Sequence, residues 1–257
     1  MEDRTELEFE WRGRTGPFAL TLTPGVFTPS HTSLALAEVI EVQPGEVVAD
    51  IGCGCGVLAI VAARLGAARV FATDVSGDAV RAGEANARSL GLDSIVEFRT
   101  GHLSEPLAGI TVDVVIGDVS GVPDALAEVT GWLPGGGPTG AETPVAMLEK
   151  LDPLLASGGR LYLPTGSLQD EVAVLTAARD IFGPGNVELL HRRRFPLSGA
   201  AVRTEVFEDL MARGIARFER HGSRWLWTLS LWRCQLRGGQ ASPVSPTGST
   251  FLENPIA

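Results

Sequence analysis

From residue 47 the chain alternates short, solid apolar runs with stretches whose apolar positions recur every three or four residues. The first pattern predicts buried strands at Val47–Gly52, Arg69–Val75, Ile95–Thr100, Val112–Val119 and Gly159–Thr165. The second predicts helices at Leu58–Leu65, Asp78–Leu90, Pro123–Trp132, Thr143–Leu155 and Gln169–Ile181. Leu65-Gly66 and Leu90-Gly91 carry the glycine that ends a helix. Such a βαβ rhythm implies an α/β fold with a mostly parallel sheet covered on both faces.

The ends of the chain read differently. Leu7, Phe9 and Trp11 alternate, a Gly/Pro-containing turn follows, and Phe18 to Leu22 resumes, which suits a hairpin. Leu34, Leu36, Val39 and Ile40 have helical spacing within Thr32–Val42. Beyond residue 186 the pattern predicts two long strands, Val187–Pro196 and Trp225–Cys234, around one helix, Val206–Ile215. The Gly/Ser/Pro/Thr-rich residues 238–257 read as a disordered tail. The expected division is therefore a hairpin and cover over 1–31, one domain over 32–237, and the tail.

Composition narrows the class. The 257 residues carry a net charge of -10 and are 44% hydrophobic, too apolar for a disordered chain. Charge breaks every apolar run short of a membrane span, and the acidic start shows no secretory signal. Three cysteines suit neither a disulfide framework nor a four-ligand zinc site, so a reducing cytoplasm and no metal are expected. The charge is divided: residues 191–237 hold 10 arginines against 4 acids, whereas residues 1–190 hold 11 basic and 26 acidic groups. The acidic body argues on charge against a nucleic-acid partner, and the arginine segment is either a solvated sheet edge or a patch for an acidic partner.

The chemistry concentrates in Val48-Ala-Asp-Ile-Gly-Cys-Gly-Cys-Gly-Val-Leu-Ala-Ile60, which leaves a strand and enters a helix. Glycines 52, 54 and 56 permit positive φ and close approach of backbone to ligand. A dinucleotide site would space its glycines as GxGxxG. Here Asp50 precedes the first glycine, where it would repel a phosphate and suit a cationic amine. Asp74 ends the next strand, where a carboxylate accepts ribose hydroxyls. An amine plus an unphosphorylated ribose describes S-adenosylmethionine.

With these motifs, residues 47–165 resemble a class I S-adenosylmethionine-dependent methyltransferase. The resemblance implies a Rossmann-like three-layer sandwich with a seven-stranded sheet in the order 3-2-1-4-5-7-6, its last strand antiparallel. It also implies cofactor contacts from Asp50, Gly52, Cys53, Gly54, Gly56, Asp74, Val75, His102, Leu103 and Asp118. The segment around His31-Thr32-Ser33 is similar to ribosomal-protein methyltransferases, and Gly136-Gly-Pro-Thr-Gly140 resembles a segment of HemK-like glutamine methyltransferases. Where that group carries Asn-Pro-Pro-Tyr, this chain has Asp118-Val-Ser-Gly121. Ionised Asp118 only accepts hydrogen bonds, so it does not grip a carboxamide as asparagine does. Asp118 and His31 are the expected catalytic residues. The altered motif favours a small-molecule N or O acceptor, with an acidic molecule and specialised metabolism as the expected setting. The alternatives are a protein (glutamine or lysine) acceptor, and a cyclisation or rearrangement in place of methyl transfer.

Overall fold

The computed structural model describes residues 7–132 and 134–237. The expected tail over 238–257 lies outside the described residues. Among the described residues ten strands form in chain order: β1 Leu7–Trp11, β2 Phe18–Leu22, β3 Val47–Ile51, β4 Arg69–Asp74, β5 Val96–Thr100, β6 Val112–Gly117, β7 Leu155–Gly166, β8 Val187–Pro196, β9 Glu219–His221 and β10 Arg224–Gln235. The helices are α1 His31–Val39, α2 Val57–Leu65, α3 Gly77–Ser89, α4 Asp124–Thr130, α5 Glu142–Glu149, α6 Glu171–Phe182, α7 Gly199–Val202 and α8 Glu205–Ala212.

The main sheet runs β5-β4-β3-β6-β7-β10-β8. Counted from β3 as the first strand of the sheet, this is the expected order 3-2-1-4-5-7-6. The pairs β3–β4, β3–β6, β4–β5 and β6–β7 are parallel, and β10 is antiparallel to both β7 and β8. An eighth strand, β9, pairs with the start of β10. Solid apolar runs are buried here because both sheet faces are covered. One core joins β3, β6 and β10 to α1, α2 and the hairpin; the other joins the opposite face to α5 and α6. A third cluster, with Leu126, Phe207 and Leu210, packs α4 beneath α7 and α8.

Three differences from the sequence pattern have physical causes. The helix expected over Thr143–Leu155 stops at Glu149, because Pro153 removes a donor and disfavours helix at Asp152. Leu155 instead opens β7, paired with Val112, so that strand starts four residues earlier than expected. Helix α7 and strand β9, four and three residues long, are too short to show a period.

The hairpin forms a separate two-stranded sheet with Leu7 opposite Leu22 and Trp11 opposite Phe18. Trp11 is fully buried, while Leu7 at the same face is 64% exposed beyond the end of the core. Asn86 ties the hairpin to the glycine loop: its Oδ1 accepts from Thr21 N at 2.7 Å, and its Nδ2 donates to Thr21 O and to Cys55 O at 3.0 Å. No described helix is long and apolar enough to cross a membrane, and the described residues hold no group of three or more metal-ligating side chains.

Candidate functional site

The carboxyl ends of β3, β4 and β6 converge, as they do at the ligand crevice of open parallel sheets. Leaving β3, the chain passes through Gly52 (φ +81°), Gly54 (φ +52°) and Gly56 (φ +85°) before α2 begins. These angles are accessible to glycine at little cost. The loop is pinned from beneath, since Thr73 O accepts from both Gly52 N (2.8 Å) and Cys53 N (2.9 Å). A Cβ on Gly52 would sit 3.2 Å from Asp118 O, so the β3 and β6 exits lie in contact. Gly54 has almost open space, with Phe27 O as its nearest neighbour at 3.8 Å. Gly56 faces inward, where a Cβ would come within 2.8 Å of the Phe98 ring. Its role is close packing at the start of α2.

Asp50 is fully buried, and neither carboxylate oxygen has a hydrogen-bond partner among the described residues. Burial first, and then the nearby charges of Asp118 and Asp74, push its carboxyl up to about 8. The Ala59 N–H counteracts this without reaching hydrogen-bonding geometry. Asp74 is arranged differently: its Oδ2 accepts from Gly54 N at 2.9 Å and its Oδ1 from Ser76 N at 2.8 Å. The carboxylate is thus fixed in orientation, with lone pairs left for further donors.

Asp118 follows β6 and is half-buried. Its Oδ2 accepts from Ser33 Oγ at 3.0 Å. Burial raises its carboxyl to about 6, against the Ser33 hydrogen bond, which lowers it. Ser33 reaches Asp118 because Ser30 caps α1 in a capping box, which places Ser33 at the third helical position facing inward. His31, at the first position, faces outward onto Phe195, with ring centroids 4.8 Å apart. Phe195 in turn packs on Trp227. The helix therefore offers Ser33, rather than His31, to the acid. The serine was visible in the sequence, and its signal was the Ser30-x-x-Ser33 spacing.

The remaining sequence candidates divide. Leu103 is buried at φ +51°, and its carbonyl accepts from Thr73 Oγ1 at 2.8 Å, so it sits beside the β4 end. Cys53 and Cys55 are buried free thiols, which burial pushes upward, Cys55 to about 12. They are small side chains of a crowded loop. Val75 is 67% exposed just past Asp74. His102 is exposed, with Nδ1 3.7 Å from Glu105 Oε1, a residue also bound by Lys150. Ser120 Oγ donates to Pro134 O at 2.7 Å and is committed to the loop.

The arginine-rich segment is an edge strand. Arg192 and Arg194 lie on one face, bonded to Ser230 Oγ and Glu219, and Arg193 lies on the other, over the Phe195 ring. Their alternation is what the strand period requires.

Comparison with known proteins points one way. The family model "Ribosomal protein L11 methyltransferase (PrmA)" matches residues 23–126, from the cover segment through β6 into α4. A release factor glutamine methyltransferase of Moorella thermoacetica is 32% identical over 188 residues, 66% of this chain and 64% of that protein. A ribosomal protein L11 methyltransferase of Alkaliphilus metalliredigens is 35% identical over 115 residues, 43% of this chain and 36% of that protein. The chain thus spans less than two thirds of the length of these relatives. Among solved structures, a 16S rRNA methyltransferase of T. thermophilus in complex with AdoMet and guanosine superposes with a TM-score of 0.60 at 17% identity, over 90% of this chain and 51% of that one. That likeness concerns the fold. The glycine loop with its two acids, the strand order and these relatives agree: the chain is similar in fold and sequence to the class I S-adenosylmethionine-dependent methyltransferases.

Proposed function

We propose that this protein transfers the methyl group of S-adenosylmethionine to a nitrogen of a protein substrate. The carrying observation is the contact between the β3 and β6 exits, which sets Asp118 and its Ser33 partner against the glycine loop. An acid able to take a proton then borders the ligand cradle.

The residues present fit the cofactor. The two orphaned oxygens of Asp50 are what a cationic amine would satisfy, and a buried carboxylate left unpaired is costly. Asp74, already oriented by two backbone donors, has lone pairs for the ribose hydroxyls. Gly52 and Gly54 leave the backbone bare for the methionine chain. Leu103 offers an apolar wall beyond β4, and Val75 and His102 flank the same edge. When bound, the cofactor supplies an electrophilic methyl group on a good leaving group.

The protein's part is alignment and proton handling. Positioning the acceptor in line can supply much of the acceleration. Asp118, with its carboxyl near 6, is mostly ionised at neutral pH and takes the proton that the acceptor nitrogen gives up as its bond to the methyl carbon forms. Ser33 holds that carboxylate in place. His31 is a rim residue in this reading, resting on Phe195 at the acceptor side. In this reading residues 32–237 are the catalytic unit, shielded by the described part of the hairpin and cover, residues 7–31.

The relatives' names support a protein acceptor: both the release factor and the ribosomal protein groups are named for protein substrates. The small-molecule acceptor expected from the altered strand-end motif has no comparable support. The test is incubation with radiolabelled S-adenosylmethionine and cell extract, followed by separation of protein, RNA and small molecules. Label is expected in the protein fraction, and its loss in Asp118→Asn although that variant still binds cofactor. Label only among small molecules or RNA would overturn the reading.

A further inference from the structure

β8 ends the sheet: among the described residues it pairs with β10 alone, and most of it is exposed. Every second residue of an antiparallel edge turns its N–H and C=O outward, where a further strand can pair with them. Edges are commonly protected by freely moving charges. Here the charges are held in place. Arg192 Nε donates to Ser230 Oγ at 3.2 Å on one face, and Arg193 lies over the Phe195 ring at 5.2 Å on the other. Among the described residues neither guanidinium has a carboxylate partner, whereas Arg194 pairs with Glu219. Each keeps N–H groups of its planar fork for a carboxylate. The end of the strand also leads inward. Phe195 packs on His31 of α1, two residues before the Ser33 that holds Asp118.

We propose that the β8 edge docks an extended acidic segment of the protein substrate by strand addition: the segment's backbone pairs with the outer edge of β8, and its carboxylates meet Arg192 on one face and Arg193 on the other. This rests on the protein-acceptor reading above and adds how the substrate is held. Consecutive side chains of a strand point to opposite faces, so adjacent acids serve both arginines. Charge selects this occupant. A second copy of β8 paired in register would set one arginine triplet against another, and like charges directly opposite destabilise a strand pair. Residues 238–257 of this chain carry a single acid, Glu253. A nucleic acid has no row of amides to add to a sheet, and the 26 acids against 11 basic groups of residues 1–190 repel an extended polyanion.

The experiment adds four probes to the full chain: the capped peptide Thr-Val-Glu-Glu-Glu-Val-Thr, the same peptide N-methylated at every central residue, its counterpart with three lysines for the glutamates, and a uridine heptanucleotide. The glutamate peptide is expected to bind, more weakly as salt rises, and to slow hydrogen exchange at the β8 amides that do not pair with β10. The N-methylated and lysine peptides should bind at least about tenfold more weakly, the first lacking backbone donors and the second meeting like charge. Arg192→Thr/Arg193→Thr should weaken the glutamate peptide by at least about threefold while binding cofactor as the parent does. The assignment fails if the glutamate peptide leaves β8 exchange unchanged, or if the N-methylated peptide or the double variant binds as tightly as the parent pair. It also fails if the heptanucleotide binds this edge more tightly than the peptide. The two readings fail separately. Peptide bound along β8 with no protein methylated sinks only the protein-acceptor reading. Protein methylation with an unchanged KM in the double variant sinks only the docking role of β8.

Discussion

Replacing Asp50 by asparagine separates its two effects by sign. In the parent the buried carboxyl, raised to about 8, is ionised in only about one molecule in ten at pH 7. The α-ammonium it is assigned to meet ordinarily titrates at about 7.7–8.0. Paired, the two groups hold one proton; free at pH 7 they hold about 1.8, so binding should release about 0.8 proton. The fraction able to pair peaks near pH 8 and falls roughly twentyfold by pH 6. Asp50→Asn should abolish both the release and the slope. At pH 8 it should weaken cofactor binding by roughly 10–100-fold, the loss of a charged hydrogen bond. In the free protein the sign reverses. A carboxyl raised from 3.8 to about 8 favours the fold fully below pH 4, and that contribution is lost as pH climbs to 8. Several kcal/mol, about 5 at the ceiling, should disappear across that window. Asp50→Asn removes the decline and should be the more stable protein at pH 8 without ligand. Titration calorimetry in two buffers of different ionisation heat, with thermal melts at pH 5 and 8, reads both effects. Cofactor affinity that is flat from pH 6 to 8 in the parent, or an unchanged slope in the variant, would refute the reasoning.

Other perturbations follow from single contacts. Ser33→Ala removes the donor that lowers the Asp118 carboxyl, so the acid limb of kcat/KM against pH should move upward from about 6. An unmoved limb would mean that another group sets it. Asp74→Ala frees Gly54 N and Ser76 N, and should cost about 1–3 kcal/mol in chemical denaturation while removing most of the cofactor's thermal shift. Glu46 pairs with Arg160 through two contacts of 2.7 Å at a largely buried site, and Glu46→Gln should cost about 2–3 kcal/mol at pH 7. The Arg160 hydrogen bond holds the Glu46 carboxyl below its ordinary value, so the loss should be full above pH 5 and shrink as pH falls through the folded value. Equal melts of parent and variant at pH 7 would contradict it.

The sheet was legible because its strands are buried on both faces and therefore read as solid apolar runs. The edge strand β8 matches the expected Val187–Pro196 although most of it is exposed. What escaped was short or set by a single residue: Pro153 cutting α5, β9 with three residues, α7 with four. The glycine loop and its acids were legible as a group because glycines 52 and 54 and the acids 50 and 74 are local signals at fixed strand ends. The surroundings of the β6 exit are assembled from afar. Ser33 and Asp118 are 85 residues apart, and Gln169 meets Gly121 across 48 positions. Composition and period carry no information about such meetings. His31 drew attention by its chemistry, yet its place at the first turn of α1 points it onto Phe195.

The -10 net charge also acquires a layout. Asp50, Asp74 and Asp118 crowd one crevice, while Arg192 to Arg194 line the far sheet edge, with Arg194 paired to Glu219. Three acids in one crevice favour a cation, in keeping with a positively charged cofactor.

The central claim is methyl transfer to protein, and intact-mass spectrometry tests it most directly. Purified bacterial ribosomal protein L11 and a release factor would each be incubated with this protein and S-adenosylmethionine, with Asp118→Asn run in parallel. A methyl increment is expected on at least one of them with the parent and none with Asp118→Asn. Unmodified masses on both, with cofactor bound and consumed, would contradict it.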